Sequence, residues 1–340
     1  MYGGKYRKME NIAKDIYFDK NYGKLYENIE NGEAIVFEYE DKNGKISNQF
    51  IKREIPIKIN GKTYYDITTP YGYGGPIIEY YSGDKNNLLQ EYKKKFSIFC
   101  NNNNIVSEFI RFHPLFDNAL DFKNIYDVVY MRKTLGTNLE KYDNPVESEF
   151  SRSCRKTIRQ VLKSGVTYNI IERPKEFETF KKVYYSNMDR KGATDYYYFK
   201  DEYFEKILKY FKDNIIMVQA IYENKIIAAG LYFIYNNIIH IHLSGTDTEY
   251  LHLSPAYVLK YATAIWGKEH NYKVIHYGGG LTNSEEDTLY LFKKKFAQNT
   301  QFDFYIGKKI WNKEIYNELC KKRGINEKDI NFFPAYRKEQ

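Results

Sequence analysis

Apolar and polar positions along the chain fall into two rounds of one pattern. The first round opens with AIVFEYEDKNGKISNQFIKREIPI, two β-branched and aromatic runs separated by Asp41-Lys42-Asn43-Gly44, which predicts a hairpin. KTYYDITTP predicts a third strand leading into a glycine-rich loop, YGYGGP. A helical stretch, NNLLQEYKKKFSIFC (86–100), and a strand, IVSEFIRFHP (105–114), complete it. The second round repeats the order. IIMVQAIYENKIIAAGLYFIY predicts a hairpin through Glu223-Asn224-Lys225, NNIIHIHLSGTD a third strand, SPAYVLKYATAIWGKEH (254–270) a helix and YKVIHY a fourth strand. Ser254 is the expected N-cap of that helix, with Pro255 at its first position.

Hairpin, strand, helix, strand, occurring twice at this length, predicts two copies of one α/β (α+β) domain rather than a solenoid. The helix crosses between the third and fourth strands, so that pair can be parallel inside a mixed, mostly antiparallel sheet. Between the rounds lies ESEFSRSCRKTIRQVLKSGV. On a helical wheel Arg152, Arg155, Arg159 and Lys163 fall within about 80° of one another, with Ile158, Val161 and Leu162 beside them. Gly165 ends this helix. The stripe is either a grip for phosphate or the solvated face of an amphipathic helix, and spacing alone favours the second.

Composition narrows the choice modestly. The chain of 340 residues is 43% hydrophobic and 28% charged, as expected of a soluble globular protein. The longest apolar run, residues 226–235, is too short to span a bilayer. No apolar secretory segment is visible in MYGGKYRKMENIAKD. Cys100, Cys154 and Cys320 form no CxxC pair, which fits a reducing cytoplasm and argues against a cysteine-based zinc site. A net charge of +8 permits a phosphate-bearing partner without requiring one. The 36 tyrosines accompany abundant Lys, Asn and Ile, the signature of AT-rich coding, and carry little functional weight.

The remaining chemistry centres on HYGGGLTNSEEDTLYLFKKKFAQ (276–298). Gly278-Gly279-Gly280 satisfies neither GxxxxGK[ST] nor GxGxxG, and the acidic run after it would repel phosphate. Ser284 with Asp287 makes a capping box, S-x-x-D. In the helix beyond, Leu289, Phe292 and Phe296 form an inward stripe and Lys294 and Lys295 face out. Lys293 borders the stripe and either snorkels to water or enters a cavity. GxSxG and HExxH are absent. His240 and His242, on one strand face, read as strand histidines facing a half-polar surface rather than metal ligands, and Glu108 and Asp117 have no partner identifiable from sequence.

Together, the tandem α/β rounds, RSCRKTIRQVLKSGV, MDRKGATDYYYFKDEYF (188–204) and GGG followed by LFKKKF resemble the FemABX-type peptidoglycan-bridge transferases and the GNAT-like acyltransferases of polysaccharide gene clusters. The resemblance covers nearly the whole chain and is strongest over 146–296. It implies two GNAT-like domains, residues 1–147 and 148–309, with the tail 310–340 folding back on the first. It implies N-acyl transfer to an amine of a cell-wall or cell-surface polysaccharide precursor. The donor would be aminoacyl-tRNA, slightly ahead of acyl-CoA, as a co-substrate with no tightly bound cofactor. In the family a Phe-Lys pair lines the donor channel, here Phe292 and Lys293, whose ammonium would stabilise the oxyanion. Arg155, Arg159 and Arg190 would hold diphosphate or tRNA, arginine's fork being suited to phosphate. Tyr71 and Tyr73, in the YGYGGP loop, would shape the acceptor cleft, unless that loop is only a turn needing positive φ. No inserted coiled-coil arm is present, and YLHLSPAYV lacks the Q/R-x-x-G-x-G/A diphosphate motif of ordinary GNAT enzymes. The rival readings are an acetyl-CoA-dependent N-acetyltransferase and a non-catalytic RNA-binding module.

Overall fold

The structure, a computed structural model, describes residues 15–326 and 331–338. The segment read for a secretory signal lies almost wholly outside them. The chain divides into two compact units: one ends at Met131 and resumes at Phe304, and the other is Arg132–Asp303.

Unit 1 begins with the hairpin of β1 (Gly32–Asp41) and β2 (Gly44–Glu54), in register Asp41↔Gly44. A short helix α1 (Glu27–Glu30) precedes it. β2 pairs with both β3 (Tyr65–Thr68) and β4 (Ile77–Tyr81), and β3 runs parallel to β5 (Ile105–Arg111). The crossover is α2 (Lys85–Asn102), capped by Asp84, whose carboxylate accepts from the N–H groups of Asn86 and Asn87. It buries Leu88, Leu89, Tyr92, Phe96 and Cys100. Short α3 (Asn118–Asp121) follows. The C-terminal segment returns to this unit. β12 (Gln301–Ile310) pairs antiparallel with β5, and α10 (Lys313–Lys322) buries Tyr316, Leu319 and Cys320 with Ile55 and Val106.

Unit 2 takes in the second half of β6 (Asp127–Asn138), short α4 (Pro145–Glu149) and α5 (Arg152–Lys163). These are followed by β7 (Thr167–Glu172), α6 (Glu178–Lys191) and α7 (Asp201–Phe211). Next come β8 (Ile215–Tyr222), β9 (Lys225–Tyr235), β10 (Ile238–Thr246), α8 (Pro255–Glu269), β11 (Val274–Gly278) and α9 (Thr288–Lys294). Strand order is β6-β11-β10-β9-β8-β7, parallel only between β10 and β11. Two-residue turns explain the two tight hairpins. Glu223-Asn224 and Asn236-Asn237 all hold positive φ, as the twist-matching I′ geometry demands. The mixed α/β repeat and the parallel third and fourth strands match the expectation from pattern.

Three details differ. The break between units falls after Met131 rather than after residue 147, because β6 pairs with β11 from Leu135 to Asn138. Ser254 sits in the left-handed region (φ 52°) and makes no side-chain cap, leaving Pro255 to start α8. Asp287, not Ser284, caps α9, accepting from the Tyr290 N–H at 2.8 Å.

Candidate functional site

The candidate site of unit 2 is built where β10 and β11 part. Their parallel ladder runs Ile238↔Val274, Ile239↔Ile275 and His240↔His276, then stops. Beyond it β10 carries a register shift against β9 between Ile241 and Leu243, and β11 one against β6 between His276 and Gly278. A break of this kind re-aims the backbone and opens the sheet locally.

The three glycines lie at the end of β11, and their role is structural. Gly278 takes φ 72°. At Gly280 an added Cβ would lie 2.5 Å from Asp287 Oδ1, so only glycine lets the loop meet that carboxylate. Asp287 Oδ2 accepts from Leu281 N–H at 2.9 Å, Thr282 N–H at 2.8 Å and the Thr282 hydroxyl at 3.1 Å. Four donors favour the ionised form, and the Asp287 carboxyl is held down at about 2, chiefly by the Tyr290 N–H. The loop shape thus gathers around a carboxylate, not around a bound anion.

What this loop holds is Lys293, whose Nζ donates to the Gly279 carbonyl at 2.6 Å. Desolvation, then the charge of Arg132, then that of Lys191, pushes its ammonium down to about 8 against the attraction of Asp287. Arg132 is itself tied to the loop through the Thr282 carbonyl at 2.8 Å. Phe292 packs edge-on against Tyr257 of α8 (5.4 Å) and against Phe296 (5.3 Å). Lys293 is therefore half-buried and follows Phe292 on α9, with its ammonium turned to the Gly279 carbonyl. Lys295, expected to face out, instead donates to the Tyr257 hydroxyl at 2.9 Å.

One turn along α8 from Tyr257 sits Lys260, a residue the sequence reading passed over. It is 6% exposed, its Nζ 5.1 Å from the Tyr232 ring centre and 5.7 Å from that of Tyr277. Burial, then Lys293, pushes this amine down to about 7. The i, i+3 spacing from Tyr257 was the available signal, masked because a lysine within an apolar helical run reads as a surface residue.

The basic stripe divides. Ser151 caps α5 through the Cys154 N–H at 3.2 Å, and Cys154, Ile158 and Val161 face the core. Arg152, Lys156, Arg159 and Lys163 are exposed. Arg155 is engaged within the chain: it donates to the carbonyls of Glu147 (3.0 Å) and Phe150 (2.5 Å) and pairs with the Glu147 carboxylate at 3.1 Å, closing the end of α4. Arg190, at the end of α6, is exposed and donates to Asn187 Oδ1 at 3.0 Å. Of the histidines of β10, His240 is buried, not facing a half-polar surface as expected, and His242 is half-buried. His240 lies 5.4 Å from the His276 ring, and His242 bonds the Tyr203 hydroxyl at 2.5 Å, with burial holding it at about 3 and so uncharged.

Tyr71 and Tyr73 belong to unit 1. Tyr71 offers its carbonyl to the Tyr22 hydroxyl at 2.8 Å, and Tyr73 packs edge-on against Tyr17 (5.6 Å) and Phe304 (5.3 Å). Gly72 and Gly75 have φ 97° and 83°, so the positive-φ requirement of this turn is real. Both tyrosines remain half-buried.

Comparison with known proteins agrees with this architecture. Residues 148–294 match the acetyltransferase (GNAT) domain family. A UDP-N-acetylmuramoylpentapeptide-lysine N(6)-alanyltransferase of Weissella viridescens is 26% identical over 188 residues, 54% of this chain and 52% of that protein. The match thus spans about half the length of that relative. The crystal structure of FemX superposes with a TM-score of 0.67 at 13% identity, covering 91% of this chain and 95% of FemX. L-PGS from Bacillus licheniformis superposes at 0.54 and 14% identity, covering 86% and 93%. The fold expected from the FemABX and GNAT resemblance is the fold observed.

Proposed function

We propose that this chain, which has the FemX fold and carries a GNAT acetyltransferase domain over residues 148–294, is an N-acyltransferase that moves an aminoacyl group from tRNA to an amine of a cell-wall precursor. The observation that carries the reading is Lys293, a desolvated ammonium that donates to the Gly279 carbonyl just past β11, on the helix whose Phe292 packs on Tyr257. An ester carbonyl placed against this aromatic wall would receive the Lys293 ammonium at its oxygen. The ammonium then stabilises the oxyanion as the acceptor amine attacks, an interaction typically worth roughly 3–4 kcal/mol in the transition state.

Two features favour an aminoacyl ester over acetyl-CoA. The start of α8 has Pro255, which lacks an N–H, after a Ser254 held at positive φ, so it offers a poor cradle for a diphosphate. The exposed Arg152, Lys156, Arg159 and Lys163 of α5 suit a phosphate backbone instead. The activity named for the Weissella relative supports alanine as the acyl group and a lysine side chain as the acceptor amine. Arg159 and Arg190 are the arginines proposed for phosphate; Arg155 holds α4 and stands behind them. Tyr71 and Tyr73 are proposed as acceptor-side residues of unit 1. Among the described residues no helix is long and apolar enough to cross a membrane.

The test supplies alanyl-tRNA or acetyl-CoA together with a UDP-linked muramoyl pentapeptide and follows the product by mass. Transfer from alanyl-tRNA, lost when the tRNA is deacylated, is the expected result. Transfer from acetyl-CoA alone would replace the donor assignment, and salt-sensitive RNA binding without any product would leave a binding module.

A further inference from the structure

We propose that Lys260 is a second catalytic residue of unit 2, the proton acceptor for the attacking amine. This rests on the acyl-transfer reading above. Its position supports the role. Tyr257 and Lys260 are one turn apart on α8, Tyr257 packs on Phe292 of α9, and the charge of Lys293, the residue after Phe292, acts on the Lys260 amine. No hydrogen bond reaches its Nζ among the described residues. It meets only the Tyr232 and Tyr277 rings, and the Tyr232 hydroxyl beside it is buried without a partner. A buried amine whose neighbours are ring faces and another amine is a costly arrangement for stability, and such arrangements mark functional sites.

The groups that face it are Tyr232 from β9, Tyr277 from β11 and Lys293 from α9; beyond Tyr277 stand the Cys154 thiol of α5 and the Glu149 carboxylate of α4. Burial raises both tyrosines and Cys154, so these stay protonated and neutral near pH 7. The proton equilibrium near neutrality is therefore shared between two amines. Lys293, whose Nζ donates to the Gly279 carbonyl, is held as the ammonium, and Lys260, which has no such acceptor and is pushed down by burial, is available as a free base. In the reaction, the acceptor nitrogen bonds to the donor carbonyl carbon and the carbonyl electron pair moves to the oxygen facing Lys293. The proton on nitrogen passes to Lys260 Nζ. When the carbonyl re-forms, the carbon–oxygen bond to the ribose breaks and the leaving oxygen takes that proton from Lys260. Atoms and charge balance, and both lysines return to their starting states.

Two measurements test this. The first, on the full chain without substrate, follows ε-13C-labelled lysine signals by NMR against pH, with Lys260→Met for assignment. A Lys260 signal that titrates near neutrality is expected; one that stays ammonium to pH 9 overturns the proposal whatever the donor. The second compares turnover. Lys260→Met should lose at least tenfold in kcat with KM little changed, lose the acid limb near pH 7 and unfold at a higher temperature, because a buried amine has been replaced by an apolar side chain. Lys260→Arg, which keeps the charge and cannot release a proton, should be equally slow. Full turnover in either variant, or slow turnover with a lowered unfolding temperature, overturns the role. Failure of the unaltered chain with every donor would instead sink the transfer reading, while the titration still reports whether the amine is free.

Discussion

In unit 1, β3 ends at Thr68 but the chain stays on β5. Thr69 N–H donates to the Phe109 carbonyl at 3.2 Å and Gly74 N–H to that of Arg111 at 2.8 Å, and Arg111 reaches back to the carbonyls of Thr69 and Pro70 at 2.7 and 3.0 Å. Asn118 closes the far side through the carbonyls of Gly74 and Pro76. In unit 2 the corresponding strands, β10 and β11, hold together only to His240 and His276 and then separate. The same order of elements gives a sealed strand pair in one unit and an open one in the other. The loop after the third strand makes the difference: YGYGGP lies down along β5, whereas residues 248–253 form a short 3-10 turn leading into α8.

Two buried ionisable groups, one from each unit, contrast in their partners. Glu108 of β5 accepts from Asn48 Nδ2 at 2.9 Å and Trp311 Nε1 at 3.0 Å. Lys260 of unit 2 is surrounded by ring faces. A buried carboxylate with donors is satisfied in place, whereas a buried amine without an acceptor is the exception that calls for a role.

The sharpest way to break the comparison is Lys293→Met. Turnover should fall about 10²–10³-fold, the typical loss of one oxyanion donor, with the far-UV circular dichroism unchanged. Steady-state kinetics on the purified variant decides it, and unimpaired kcat would remove the site. Next, Gly280→Ala forces a Cβ onto Asp287 and unseats the loop carrying the Gly279 carbonyl. Turnover should drop roughly tenfold, as misplacing a catalytic group does, whereas Gly74→Ala, with ordinary contacts at 3.5 Å in unit 1, should leave it unchanged.

A smaller effect is expected on α5. Arg159→Ala should weaken tRNA binding several-fold and lower the salt slope by about 1, measured by fluorescence anisotropy between low and moderate salt. Arg155→Ala should instead lower the unfolding temperature, because it frees the carbonyls at the end of α4.

The smallest effect is on stability. Burial raises Glu108 to about 7 from its ordinary value near 4.5, its two donors notwithstanding. The unfolded chain therefore loses this proton first, and stability falls as pH rises from 4.5 to 7 and then levels. Lys260, lowered to about 7, behaves with the opposite slope: the unfolded chain binds the proton first as pH falls from about 10.5, so stability falls from there to 7 and then levels. Chemical denaturation at a series of pH values should show Glu108→Gln flattening the acid-side slope and Lys260→Met the alkaline one. Unchanged slopes would mean that neither group is buried in its unfavourable form.

Some of the local structure was legible before the fold was known. The stripe with Lys293 on its border is a readable pattern, whereas the role of the Phe292–Lys293 pair came only from the family resemblance; α5 was legible from its wheel and its closing glycine. The partners of Arg155 were not legible, because a wheel places a side chain on a face but cannot see a neighbouring helix end whose carbonyls need donors. Lys260 was missed for a related reason, since its significance lies in Tyr232 and Tyr277, each far away in sequence.

By itself the sequence determined the two rounds of hairpin, strand, crossover helix and strand, since period-2 and period-3.6 patterning and turn residues with positive φ act locally. Tertiary structure alone decided which strand pair closes and which opens, that three glycines fold around Asp287 rather than phosphate, and that two lysines become desolvated side by side. Those outcomes depend on long-range packing, because the charge state of an amine is set by the groups that replace its water.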